Sequence, residues 1–392
     1  MNIFMIHPHD IYSPLEPWTV RVKKLAMEFA AKGHKVTLAY FPLDSSEAGK
    51  IKDEGGIRIV SLDRRLGAIV LFKNIARVVR LSSEADVIHF QKCYYYAALP
   101  ALVASVLKDK PLHYDWDDWE TKIFYYSNPR QRMVGEFLNI FERLIPRAVD
   151  TVSVSSDHLR GLSMRLGVKK ANIFSAPVGA DLGRFNQQVM AKFKGGVKGK
   201  YGICRYLVMY LGQLHGGQYA ELFINAAASI LKTRKDVHFM IIGDGYRLGE
   251  LKELARSSGA LENFIFTGFV PHDEIPAYLA DADVCVACFE DNNITRCKSP
   301  LKIVEYLACG KAIAASNVGE VRNMVGGTGV LTEPGDHESL SKGILLLLDD
   351  ERLRDSLGKS AAERARRKYN WRSTAANLLD AYDMAIRLKK FS

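Results

Sequence analysis

Short apolar runs recur along the chain, separated by stretches whose apolar positions fall three and four residues apart. Runs at 2–6, 35–40, 57–60, 87–90, 112–114, 151–154 and 172–175 have the length and composition of buried strands. Helical patterns fill the gaps, notably at 18–32, which closes on Gly33 just before the next strand. A second series begins after about 205, with strands at 206–211, 237–242, 263–266, 284–288, 312–315 and 330–332 and helices at 219–232 and 340–348. A last amphipathic helix is predicted from Trp371 to about Leu388. Repeated strand–helix alternation predicts a doubly wound parallel sheet, and two such series predict an α/β chain of two domains. A length of 392 residues agrees.

The stretch from Ser299 to Ser316 carries the densest information. Ser299 suits an N-cap and Pro300 the first helical position, where a missing N–H costs nothing. Gly310 suits the left-handed residue that ends a helix. The helix start, at Ser299, Pro300 and Leu301, offers backbone N–H groups to an anion. Lys302 lies in the first turn and Glu305, three residues on, shares its face. A cation beside a phosphate site and a carboxylate one turn deeper suit a nucleotide. An ordinary surface Lys–Glu pair would show the same spacing.

This segment resembles the donor-binding helix of the retaining glycosyltransferases of family four, in the subgroup reading Ser-Pro-Leu-Lys-x-x-Glu-Tyr-x-Ala-x-Gly-Lys. The likeness extends over nearly the whole chain. It implies the GT-B fold: two Rossmann-type doubly wound parallel-sheet domains facing a cleft. On this reading residues 1–183 form the acceptor-side domain, ending in a segment (178–185) that resembles the family's exit from it. Residues 184–205, rich in Gly and Lys and free of acids, read as the connection, either a solvated linker or a path for an anionic acceptor or lipid head group. Residues 206–371 would bind the nucleotide sugar, and the helix at 372–392 would cross back to the first domain, permitting hinge closure.

The resemblance places the donor at four strand ends of the second domain. Gly212 and Gln213 open the first loop, where most relatives carry an Arg and then a Lys that clamp the diphosphate; neither is present here. Gly243 and Gly245 end the next strand, and Phe269 and Val270 follow the third, in loops the family uses to hold the nucleobase. Glu305 matches the glutamate that binds ribose. Its usual sugar-binding partner, eight positions earlier, is replaced by Cys297. Glu290 is the candidate substitute and Arg296 a candidate replacement for the clamp cation; both are otherwise ordinary loop charges. In the first domain, Asp117 and Asp118 stand where relatives have a His-Asp pair, so Asp117 would do the work of the His beside the reacting carbon. Read from residues alone, the acidic stretch 115–120 is equally an N-cap cluster, or a DxD metal site through Asp115 and Asp117. The metal reading belongs to a single-domain architecture and is set aside. His7 and His9 end the first strand, as acceptor-side groups or as hydrogen-bonded structural ones. The loop 11–17 is longer and less Gly-rich than the family's usual first loop.

The charge of +10 is spread over both halves, so no basic tail suggests nucleic acid; it suits an acidic small substrate or an anionic membrane surface. The stretch 64–81 is apolar and basic, as in an ordinary amphipathic helix or one that touches anionic lipid. Cys285 and Cys288 form a lone CxxC in a predicted strand and read as buried structural thiols. No signal peptide and no membrane span are read, which implies a cytoplasmic protein, peripheral at the inner membrane face at most. The expectation is a retaining, metal-independent sugar transferase. It would need no cofactor and would move a sugar from a nucleotide-diphosphate sugar to a glycan or lipid-linked acceptor. Its working groups would be Lys302, Arg296 and Asp117, with Glu305 as nucleotide anchor. The rivals are a nucleotide-sugar epimerase or hydrolase on the same fold, and a degenerate nucleotide-sugar-binding protein.

Overall fold

The computed structural model describes residues 1–13, 16, 19–128, 130–217 and 219–391. Trp18 and part of the 11–17 loop lie outside that set. The chain divides into two compact units, Met1–Pro177 with Trp371–Ser392, and Val178–Asn370.

The first unit holds β1 (Asn2–His7), β2 (Lys35–Tyr40), β3 (Ile51–Glu54), β4 (Ile57–Ser61), β5 (Val87–Gln91), β6 (Leu112–Trp116), β7 (Thr151–Val154) and β8 (Ile173–Ser175). They form one sheet in the order β3-β4-β2-β1-β5-β6-β7-β8, parallel except for the β3–β4 hairpin. The central strands are buried on both faces, as parallel strands covered by helices must be. The unexpected strand is β3. All four of its residues are exposed, so it has no apolar alternation to announce it. The last helix, Trp371–Lys390, completes this unit. Its Tyr382 hydroxyl bonds His89 Nδ1 at 2.8 Å, and Thr374 Oγ1 donates to the Pro177 carbonyl at 2.9 Å.

The second unit holds β9 (Tyr206–Leu211), β10 (Val237–Ile242), β11 (Phe264–Gly268), β12 (Val284–Ala287), β13 (Ala312–Ser316) and β14 (Val330–Thr332). All pair in parallel, in the order β11-β10-β9-β12-β13-β14. The segment 184–205 is not a free connector but part of this unit. Phe185, Met190, Val197 and Ile203 enter its core, and the Asp281 carboxylate accepts from the backbone N–H groups of Gly195, Val197 and Lys198 at 2.5–2.9 Å. Cys285 and Cys288 are buried free thiols, pushed up to about 12 by burial.

Each sheet reverses its strand order once, between β1 and β5 and between β9 and β12. Ligands of open α/β sheets bind outside the carboxyl ends of the strands at such reversals. That rule directs attention to the residues just after β1 and β5, and after β9 and β12.

Candidate functional site

In the second unit the loops after β9, β10 and β11 are laced together through backbone. Gly212 N–H donates to the Ile242 carbonyl at 3.0 Å, Leu214 N–H to that of Asp244 at 2.9 Å and Gly243 N–H to that of Gly268 at 3.0 Å. The approach is so close that a Cβ on Gly243 would lie 1.9 Å from the Gly212 carbonyl oxygen, and one on Gly245 2.3 Å from that of Leu214. Gly243 also sits at φ +142, open only to glycine at low cost.

Beneath this loop cluster lies Lys302. The helix Leu301–Ala308 begins with Pro300 in extended conformation at the cap position, one residue later than Ser299 had suggested. The Ser299 hydroxyl instead accepts from the Val178 N–H at 3.3 Å. Lys302 is buried, its Nζ 4.0 Å from the centroid of the Tyr210 ring and 5.8 Å from that of Phe289. It has no hydrogen-bond partner. A Cβ on Gly212 would meet that Nζ at 2.7 Å, so the ammonium lies directly against the loop after β9. Burial, aided by Lys298, lowers its pKa from 10.5 to about 7.

One turn on, Glu305 is also buried, with Oε1 2.6 Å from His272 Nε2. His272 lies just beyond β11 and rests against the Phe185 ring at 5.2 Å. Sequence reading missed it, although its position two residues after Val270, in a loop already singled out, was the available signal. A second missed pair is His215 and Tyr246, whose rings stack at 5.2 Å while the Tyr246 hydroxyl accepts from the Gly216 N–H at 2.8 Å.

The remaining sequence candidates fall around this centre with less commitment. Arg296, on the short helix Asn293–Cys297, is exposed and held in a two-point pair by Asp291 at 2.6 and 2.8 Å. Glu290 is exposed just after β12, Phe269 is exposed, and Gln213, Val270 and Leu301 are half-buried.

At the reversal point of the first unit, His7 Nδ1 lies 2.9 Å from Gln91 Oε1, and Gln91 Nε2 donates to Asp117 Oδ2 at 2.6 Å. Lys92, in the left-handed region at φ 66, places its Nζ 3.4 Å from Asp117 Oδ1 and against Glu120. Burial pushes the Asp117 carboxyl up, against the pull of Lys92 and Arg21. Burial also drives the His7 pKa well below 6.5, and its Nε2 has no partner. His9 pairs with Glu16 at 2.9 Å. Glu16 also takes two bonds from Arg64 at 2.9 Å, and these hydrogen bonds overcome burial to bring it down to about 2.

Asp115 belongs to a different network. Arg21 grips it with two bonds of 2.8 Å and Ser153 Oγ donates at 2.5 Å; together they overcome burial and hold the carboxyl well below the usual range. A metal would have to displace Arg21. Among the described residues no group of three His, Cys, Asp or Glu is placed to hold one. The acidic stretch does not cap the helix Glu120–Ser127 either. The buried Glu142 does so from a neighbouring helix, accepting from Glu120 N–H at 2.8 Å, Thr121 N–H at 2.9 Å and Trp116 Nε1–H at 3.0 Å.

Two family models match the chain: "Glycosyl transferase 4-like domain" over residues 19–179 and "Glycosyl transferases group 1" over residues 205–350. Among curated relatives, alpha-D-kanosaminyltransferase of Streptomyces kanamyceticus is 27% identical over 47% of this chain and 47% of its own length. A GDP-mannose-dependent alpha-(1-6)-phosphatidylinositol monomannoside mannosyltransferase of Mycolicibacterium smegmatis is 26% identical over 61% and 63%. The chain thus spans less than two thirds of the length of these relatives. Among solved structures, sucrose-phosphate synthase from Thermosynechococcus elongatus superposes with a TM-score of 0.76 at 18% identity, covering all of both chains. Anabaena HepE in complex with UDP and glucose does so at 0.72 and 18% identity, over 97% of this chain and 98% of that one. Each of the two sheets is thus matched by its own glycosyltransferase domain model, and the chain has the GT-B fold of the solved structures that it resembles.

Proposed function

We propose that the protein transfers a sugar, with retention, from a nucleotide-diphosphate sugar to a glycan or lipid-linked acceptor, without a metal or cofactor. The observation that carries this reading is the Lys302 ammonium, buried without a hydrogen-bond partner against the glycine loop at Gly212, with Glu305 one turn along the same helix. An unpaired buried cation is costly to keep and is explained by an anion that joins it during function. A diphosphate would take that position. Glu305, held by His272, would accept from ribose hydroxyls. The matched relatives whose names specify a donor, or whose structures hold UDP with glucose, support this assignment.

In same-face transfer the leaving phosphate oxygen can take the acceptor proton, so no protein nucleophile is needed. Catalysis then rests on charge stabilisation and orientation. The engagement of Asp115 by Arg21 supports metal independence, because the DxD pair is not free to coordinate. Calorimetric titration with UDP, GDP and ADP tests the reading. One of them should bind, and Glu305→Ala should weaken it by about one to two decades. Transfer should persist in excess chelator. Failure of all three nucleotides to bind would defeat the assignment.

A further inference from the structure

The first unit carries an apolar face unrelated to either strand-end cluster. Helix Arg132–Leu144 turns Met133, Phe137, Ile140 and Leu144 outward, each at least half exposed, from 50% at Phe137 to 88% at Met133. Their spacing of four, three and four residues sets them in one stripe along the helix. A soluble domain normally turns such a stripe inward.

The charges around the stripe are one-sided. Between residues 121 and 147 stand five cations, Lys122, Arg130, Arg132, Arg143 and Arg147, against one exposed carboxylate, Glu136, since Glu142 is buried. Beside the helix opens a cavity of about 350 Å³ lined by Trp119, Lys122, Arg143 and Arg165, among others. Tyr95 of the neighbouring helix touches Phe137, with ring centroids 5.9 Å apart. That helix packs in turn on Ala68–Leu81, near whose start Leu66, Ile69 and Phe72 are exposed as well.

We propose that this face docks on an anionic lipid bilayer, with the stripe of helix Arg132–Leu144 in the interfacial layer and the surrounding cations on lipid phosphates. An apolar strip flanked by cations is the composition that such an interface selects. A protein partner helix would use the same spacing, but the stripe spans only about two heptads, where a stable coiled coil needs at least about three. An excess of positive charge around an apolar strip favours a surface of continuous negative charge.

The test is co-sedimentation of the whole protein with phosphatidylcholine vesicles, with and without phosphatidylglycerol. It reads binding, not transfer, so its outcome stands apart from the sugar-transfer reading. The protein should pellet with the anionic vesicles at low salt and be released at about 1 M salt, where the Debye length falls to about 3 Å. Phe137→Glu with Ile140→Glu, at exposed positions that leave the fold intact by circular dichroism, should lower retention on the order of tenfold or more. Lys122→Gln with Arg143→Gln should lower it by about 25-fold, or fivefold for each cation. Absence of binding at low salt, or wild-type retention by the folded Phe137→Glu/Ile140→Glu variant, overturns the proposal. So does a dimer in sedimentation equilibrium that Phe137→Glu dissociates, since a second copy then covers the stripe.

Discussion

Lys302 makes a quantitative demand on any diphosphate ligand. In the free protein its ammonium titrates at about 7, lowered by burial. A diphosphate against it returns the group toward its ordinary range, so binding above pH 7 must take up a proton. At pH 8 about nine-tenths of free sites are neutral, and affinity should fall by about fifty-fold from pH 7 to pH 9 if this is the one group titrating. The nucleotide adds nothing in this window, because its terminal phosphate is already ionised, with a pKa of about 6. Lys302→Met should bind about one to two decades more weakly at pH 7 and lose the pH dependence. The same variant should be more stable. The drop from 10.5 to about 7 corresponds to at most about 5 kcal/mol for holding the buried cation. Because the folded pKa is depressed, the penalty is full below pH 7 and disappears as pH rises to about 10.5. The stabilisation by methionine should follow that course. Calorimetry in two buffers of different ionisation enthalpy measures the proton uptake, and thermal unfolding the stability. An affinity flat from pH 7 to pH 9, or unchanged in Lys302→Met, would refute the reasoning.

Asp117→Asn should lower turnover by about a hundredfold while leaving the nucleotide dissociation constant within about twofold, measured by steady-state kinetics beside calorimetry. An unchanged rate would return Asp117 to a purely structural role. Gly243→Ala should cost on the order of 3 kcal/mol or more in urea unfolding, because its Cβ meets the Gly212 carbonyl and its φ of +142 is strained for alanine. Gly249→Ala, in an open helical position with nothing within 4 Å, should instead stabilise by about 0.5–1 kcal/mol.

Most of the fold is legible because parallel strands between helices are short apolar runs, and thirteen of the fourteen strands among the described residues were marked by such runs. β3 escaped because a fully exposed hairpin strand owes its pairing to its neighbour, not to its own pattern. The segment 184–205 misled for a related reason. Its Gly and Lys content suggests solvent, while four scattered apolar residues and a carboxylate from position 281 fold it into the second unit. At the candidate site, the resemblance and not the spacing singled out Lys302 and Glu305, and the missing hydrogen-bond partner of the one and the His272 partner of the other are long-range facts. Likewise the capping role that an acidic run at 115–120 seemed to offer is filled by Glu142, beyond the reach of local reading.

The return of the last helix to the first unit has a consequence for how the protein is made. Tyr382, buried against His89 and Phe29, reaches its place only after both strand series have left the ribosome. At about 5–20 residues per second, synthesis as far as Lys390 takes about 20–80 s. Until then the part of the first sheet that this helix covers, from β5 to β8, lacks it. Residues Val178–Asn370 are contiguous and have everything they need as soon as they emerge. The half begun first is therefore the half finished last, and a nascent chain stalled near residue 370 would expose unfinished sheet at its older end. Chaperone capture of such stalled chains should therefore map to the first unit.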